Sequence, residues 1–241
     1  MVDAFGEWGW QTLRAGDESE WQLLEKCAQR YGVSHYCLAS AEAMRGDLIK
    51  GNERLAQVTR TNSLVKGYVV VNPNHLDESA GEMKKYLSEG QFIGIAIPPP
   101  RLSHPLGSWR TAEVVKMARR YDVPLLTFLE TEKDAEGLLS LVRTFSGLRA
   151  LAVLLRGCDW WVAFRILSES PNVATIVTGL LTERGVIEQG VALLGDRRVL
   201  FGSGMTKVHI SRALGMILEA DITDRQRQLI LEGNARSWLS L

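Results

Sequence analysis

Arg198-Val199-Leu200-Phe201-Gly202-Ser203-Gly204-Met205, with the closing Leu231-Glu232-Gly233-Asn234-Ala235-Arg236, is the stretch that decides the fold. Val199-Leu200-Phe201 is short and apolar between a charge and a glycine, as a buried strand is. Gly202-Ser203-Gly204 reads as a flexible turn at its C-terminal end, and the remainder as helical to the end of the chain. This is the last unit of a series that recurs upstream.

Short apolar runs alternate with patterns of helical spacing throughout. Predicted strands are Val2–Phe5, Val33–Ala39, Gly67–Val71, Phe92–Ile97, Val123–Leu129, Ala150–Leu155, Val173–Val177 and Val199–Phe201. Between them lie predicted helices over Trp21–Tyr31, Asn52–Ser63, Glu78–Ser88, Thr111–Tyr121, Lys133–Phe145, Asp159–Ser168 and Gly185–Leu194. Trp21, Leu24 and Cys27 mark the inner face of the first helix, and Met83, Tyr86 and Leu87 that of the third. Pro98-Pro99-Pro100 ends the fourth strand, since proline offers no donor to a ladder. The loop from there to Gly107 reads as exposed and stiff at its start.

Eight βα units with nearly continuous apolar strands predict a parallel sheet covered by helices. The count of eight, and the lack of a glycine-rich phosphate loop after the first strand, favour an α/β TIM (β/α)8 barrel over a doubly wound open sheet. The 241 residues suit one such domain, 1–241, since these barrels run to about 250.

Lys plus Arg and Asp plus Glu are 28 each, so no net field attracts nucleic acid or an anionic membrane. No apolar run is long enough to cross a bilayer, and the first residues do not read as a signal peptide. Cys27, Cys37 and Cys158 are odd in number and widely spaced, which suits reduced thiols and a cytoplasmic protein.

Several phrases in order resemble the amidohydrolase superfamily, in its amidohydrolase-related, metal-dependent hydrolase branch. Phe92-Ile93-Gly94-Ile95-Ala96-Ile97-Pro98 resembles that family's F-x-G-I-K-I-H-P. Ala118 to Leu126 is similar to A-x-x-x-x-x-P-V, Pro171-Asn172-Val173 to PNV, and Gly195 to Ser203 to G-x-D-R-V-L-F-G-S-D. The resemblance implies a barrel whose mouth holds one or two divalent metals, zinc or another. Its ligands would be two histidines on the first strand, two after the fifth and sixth, and an aspartate after the eighth. Where Asp-Ala-His-x-His is expected, this chain has Asp3-Ala4-Phe5-Gly6-Glu7; the later ligand positions fall on Phe128, Arg156 and Gly204. On strand four the lysine and the following histidine fall on Ala96 and Pro98. Phenylalanine and glycine offer no lone pair, and guanidinium is a fixed cation. The expectation is therefore no metal cofactor, with Arg156 paired to Glu7 where the metal would stand.

Two functions follow. The first is a non-catalytic barrel kept for binding or assembly, as a homo-oligomer or with an active paralogue. The alternative is a hydrolase acting on a small carboxylated substrate, without metal or through a site rebuilt from Glu7, His75, His104 and Arg156. His75 and His104 lie just beyond strands three and four, on the face where barrel enzymes keep their sites. His35 reads as structural and His209 as solvated, and Ser203 lacks the context of a nucleophile elbow. Trp8, Trp10, Trp109, Trp160 and Trp161 lie near strand ends, where a cluster would form an apolar patch.

Overall fold

Each strand of the computed structural model puts alternate side chains inside and outside one sheet; residues 1–9, 20–90 and 92–241 are described. Leu126 and Phe128 of β5 (Leu125–Leu129) join Leu151 and Val153 of β6 (Ala150–Leu154), Ala174 and Ile176 of β7 (Val173–Val177) and Leu200 of β8 (Val199–Phe201) in an inner core. Their neighbours Leu125, Leu129, Ala152, Leu154, Val173 and Phe201 face an outer core beneath the helices. Phe5 of β1 (Val2–Trp8), Cys37 of β2 (His35–Ser40), Tyr68 of β3 (Val65–Val70) and Ala96 of β4 (Phe92–Ala96) complete the inner core. Burial on both faces is why these strands are continuous apolar runs in the sequence.

The eight strands are parallel and neighbour one another in chain order. Past β8 the chain turns onto β1. Gly204 N–H donates to Phe5 O at 3.0 Å, Glu7 N–H to Met205 O, and Thr206 N–H to Glu7 O at 2.9 Å. These bonds close the barrel, so the expected TIM architecture is the observed one. Gly202-Ser203-Gly204 is thus a wholly buried seam rather than a flexible turn. A β-bulge between Asp3 and Gly6 leaves Ala4 and Phe5 both in the inner core.

The helices are α1 (Glu20–Tyr31), α2 (Ala41–Arg45), α3 (Leu48–Thr61), α4 (Leu76–Tyr86), α5 (Trp109–Ala118), α6 (Glu132–Thr144), α7 (Trp160–Ser168), α8 (Val186–Leu194), α9 (Ile210–Glu219), α10 (Asp224–Gln228) and α11 (Asn234–Leu239). Leu24 and Cys27 of α1 are buried as their spacing predicts. Two boundaries move for physical reasons. β5 starts after Pro124, which has no N–H to give, and the C-terminal region is broken by residues 220–223 and by a π-helical turn over Leu229–Gly233. None of the described helices is long and apolar enough to cross a membrane.

Two of the quoted phrases turn out to be scaffold. Arg198 lays its guanidinium against the carbonyls of Leu194 (2.6 Å) and Ser170 (2.5 Å), tying the ends of α7 and α8 to β8. Asn234, from the closing phrase, donates to the carbonyls of Asp196 and Val199, both at 2.7 Å. Buried carbonyls at helix and strand ends need such donors.

Candidate active site

In a closed parallel barrel the strands' C-terminal ends form one mouth, built by the loops that lead into the helices. On β1 the inward side chains are Phe5 and then Glu7. Gly6 between them faces Met205 and Leu38, where an added Cβ would come within 2.5 Å of the Met205 carbonyl oxygen. Glu7 is only 3% exposed, and its carboxylate lies 3.0 Å from the Arg45 guanidinium. Arg45 comes from α2, which Ser40 caps by accepting from Ala43 N–H. Phe5 meets Phe128 of β5 edge to face, with ring centroids 5.3 Å apart, forming an aromatic floor two residues below Glu7.

On the opposite wall, Arg101 and Glu130 form an ion pair, and Glu130 also accepts from Arg101 N–H at 3.2 Å. The loop carrying Arg101 is not the free connector that its prolines suggest. Pro98, Pro99 and Leu106 are buried, Ser103 Oγ donates to Pro98 O at 2.9 Å, and Asn74 donates to Ser103 O at 3.1 Å. His104, in that loop, is half-buried with a Nδ1 that is shut from solvent and has no hydrogen-bond partner among the described residues. His75 is exposed, its Nδ1 lying 3.7 Å from Glu78 on the helix that follows it.

The expected Glu7–Arg156 pair is not formed. Arg45 holds Glu7, and Arg156 stands exposed after β6 without an ion pair or hydrogen bond among the described residues. α2 reaches Glu7 first because it follows β2, the strand paired with β1. Gly204 has φ +71, a left-handed backbone that most side chains avoid, and an added Cβ would meet Val208 Cγ2 at 3.1 Å. The tryptophans do not gather. Trp8 is half-buried, Trp160 packs on Trp161 and Phe164, and Trp109 is 65% exposed; Trp10 lies outside the described residues.

His209 is exposed, as expected, but it also caps α9 and lies 3.7 Å from Cys27 Sγ. His35 is half-buried at the start of β2. The three cysteines are free and buried, and burial pushes the Cys37 and Cys158 thiols up, Cys158 to about 12.

The amidohydrolase family model matches residues 50–241, well over half of the chain. The chain belongs to the amidohydrolase family. The 2,6-dihydroxybenzoate decarboxylase from Rhizobium shares its fold with a TM-score of 0.76 at 12% identity, over 100% of this chain and 99% of that one. The 5-carboxyvanillate decarboxylase from Novosphingobium aromaticivorans, complexed with manganese, gives 0.72 at 15% identity, over 94% and 85%. An amidohydrolase from Burkholderia multivorans gives 0.69 at 13% identity, over 90% and 87%. At these identities the likeness establishes the fold. No match is found among curated proteins.

Family membership corrects the expectation of a barrel without a cofactor. Its fold relatives include decarboxylases with manganese bound, so the substitutions at Phe5, Phe128, Arg156 and Gly204 do not establish that this member takes no metal. The donor set present at the mouth is sparse for such an ion. Among the described residues no group of three or more His, Cys, Asp or Glu converges, and Phe5 and Phe128 offer the mouth only hydrocarbon. The described residues therefore do not compose a metal site by themselves.

Proposed function

We propose that the chain is an amidohydrolase-family enzyme that acts on a small carboxylated aromatic compound at the barrel mouth. One observation carries the reading: a nearly buried carboxylate, Glu7, is held by Arg45 at 3.0 Å just beyond the Phe5–Phe128 floor. An aromatic ring suits that floor, and guanidinium is the group of choice for a carboxylate. Arg156 supplies a free cation at the rim, and Arg45 one already oriented against a carboxylate.

In this reading the substrate carboxylate draws on Arg45 and Arg156, and Glu7 moves a proton at the ring or the scissile bond. His104, whose Nδ1 has no partner among the described residues, is the second proton-carrying group. Fold relatives named for the decarboxylation of 2,6-dihydroxybenzoate and 5-carboxyvanillate support the carboxylated aromatic class over the non-catalytic reading.

The test is calorimetric titration with 2,6-dihydroxybenzoate and with resorcinol, which lacks the carboxylate, with and without manganese. The carboxylate is expected to bind at least about tenfold more tightly than resorcinol. Arg156→Ala and Arg45→Ala should each weaken it by about tenfold, the scale of one charge-assisted hydrogen bond. Equal affinity for the two compounds, or none for either, contradicts the reading.

A further inference from the structure

The mouth is joined to a buried pair deeper in the barrel seam. Asp3 and Ser203 are both 0% exposed. Ser203 Oγ–H donates to Asp3 Oδ2 at 2.5 Å, and Ser203 N–H donates to Oδ1 at 2.7 Å, where Phe5 N–H also donates at 3.3 Å. From there the bonds run toward the mouth. Met205 N–H donates to Ser203 Oγ at 2.8 Å, Glu7 N–H to Met205 O, and Thr206 N–H to Glu7 O. Thr206 in turn donates to Glu20 at 2.6 Å. Hydrogen bonds thus tie the Asp3 carboxyl to Ser203 and Met205, and the Met205 carbonyl in turn holds the backbone that carries Glu7.

The two protonation states of Asp3 cannot satisfy this run equally. The carboxylate accepts from all three donors. A protonated carboxyl has an O–H of its own to place, and the nearest acceptor is Ser203 Oγ, which already accepts from Met205; the serine hydrogen then loses its acceptor. Burial works the other way, and no cation among the described residues acts on Asp3. It is the largest influence, raising the carboxyl from 3.8 to about 7 against the bonds from Ser203 and Phe5. The titratable groups that face Asp3 are Tyr36 and Cys37 on β2 and Tyr68 on β3. All three are pushed up by burial and stay neutral, with Lys66 of β3 acting on Cys37.

We propose that Asp3 is a positioning residue: through Ser203 and the Met205–Glu7 bonds it sets how Glu7 is presented, so one proton in the seam changes the mouth's affinity for a small carboxylate. The inference takes its ligand from the proposed function, while its geometry stands apart from it.

The test follows amide exchange in peptides spanning β1 and residues 199–208 from about pH 5.5 to about 8.5, corrected for the intrinsic effect of pH. Affinity for 2,6-dihydroxybenzoate is measured over the same range, in wild type, Asp3→Asn and Ser203→Ala. Protection of the Glu7 and Thr206 amides, and affinity, should each change by about tenfold across pH ~7 in wild type, one unit of coupling. Both should be flat in Asp3→Asn. A wild-type pH profile retained in Asp3→Asn overturns the proposal, as does a wild type whose exchange ignores pH. If the wild type binds no carboxylate at any pH, the proposed function fails, and the exchange profiles alone decide the seam by the same criterion. If Asp3→Asn does not fold, Ser203→Ala decides: losing a bond that favours the carboxylate should move the midpoint up by about one unit. An unmoved midpoint overturns the positioning role.

Discussion

Gly6→Ala is expected to destabilise the chain by about 3 kcal/mol or more, the upper range for forcing an atom into a packed interior. The new methyl would lie 2.5 Å from the Met205 carbonyl oxygen and 2.8 Å from Leu38 Cδ2. The first of these is backbone, already engaged by Glu7 N–H, so neither side of the seam can move without opening the ladder that closes the barrel. Gly215→Ala on α9 is the matched control. Nothing lies within 4 Å of its added Cβ, and alanine there should stabilise by up to about 1 kcal/mol through helix propensity and reduced chain entropy. Urea denaturation of both variants reads the contrast directly. If Gly6→Ala came within about 1 kcal/mol of wild type, the seam would be looser than described.

The second large effect is a loss of stability as pH rises. Asp3 takes its proton near pH 7 in the folded chain and near its ordinary 3.8 when unfolded. Between those values the folded state binds more protons, so its contribution is complete below about pH 4 and lost by the time pH has risen through about 7. A shift of about three units corresponds to about 4 kcal/mol. Glu82, raised by burial, adds in the same direction, and Glu232, held low by Arg236, adds in the opposite one. The comparison with Asp3→Asn isolates the single group. That variant should be less stable than wild type near pH 4 and recover about 4 kcal/mol relative to it by about pH 8. Parallel stability curves for the two proteins would show that Asp3 keeps its ordinary proton affinity in the seam, and would contradict this account.

The barrel was legible because strands buried on both faces must be almost wholly apolar, and such runs return eight times between helical patterns. Asp3, Phe5 and Phe128 could be placed on strands for the same reason, whereas Glu7 lay beyond the predicted end of the first strand and was reached only through the family resemblance; β1 in fact runs on to Trp8. Side-chain pairing was less legible. Arg45 comes to Glu7 from a five-residue helix too short for hydrophobic periodicity to reveal; the only local signal was Ser40 ahead of a run of helix formers, Ala41-Glu42-Ala43-Met44-Arg45. Arg156 was chosen as the partner because it occupies a position of the family's pattern, yet a position in a pattern does not say where a long flexible side chain points. Ser203 looked like a turn between two glycines. Its burial follows from a partner 200 positions away, and glycine there answers to close approach rather than to mobility: a Cβ on Gly202 would come within 2.4 Å of Ile176.

Turnover tests the central claim most directly. The full-length protein, metal-free and loaded with manganese, is incubated with 2,6-dihydroxybenzoate and 5-carboxyvanillate, and loss of the carboxyl group is followed by chromatography alongside Glu7→Gln. An enzyme working through Glu7 should yield product from at least one compound, with the rate falling by at least about a hundredfold in Glu7→Gln, as when a general acid–base group is removed. No product above the uncatalysed rate with either compound, whether or not manganese is present, would contradict it and return the chain to the role of a non-catalytic barrel.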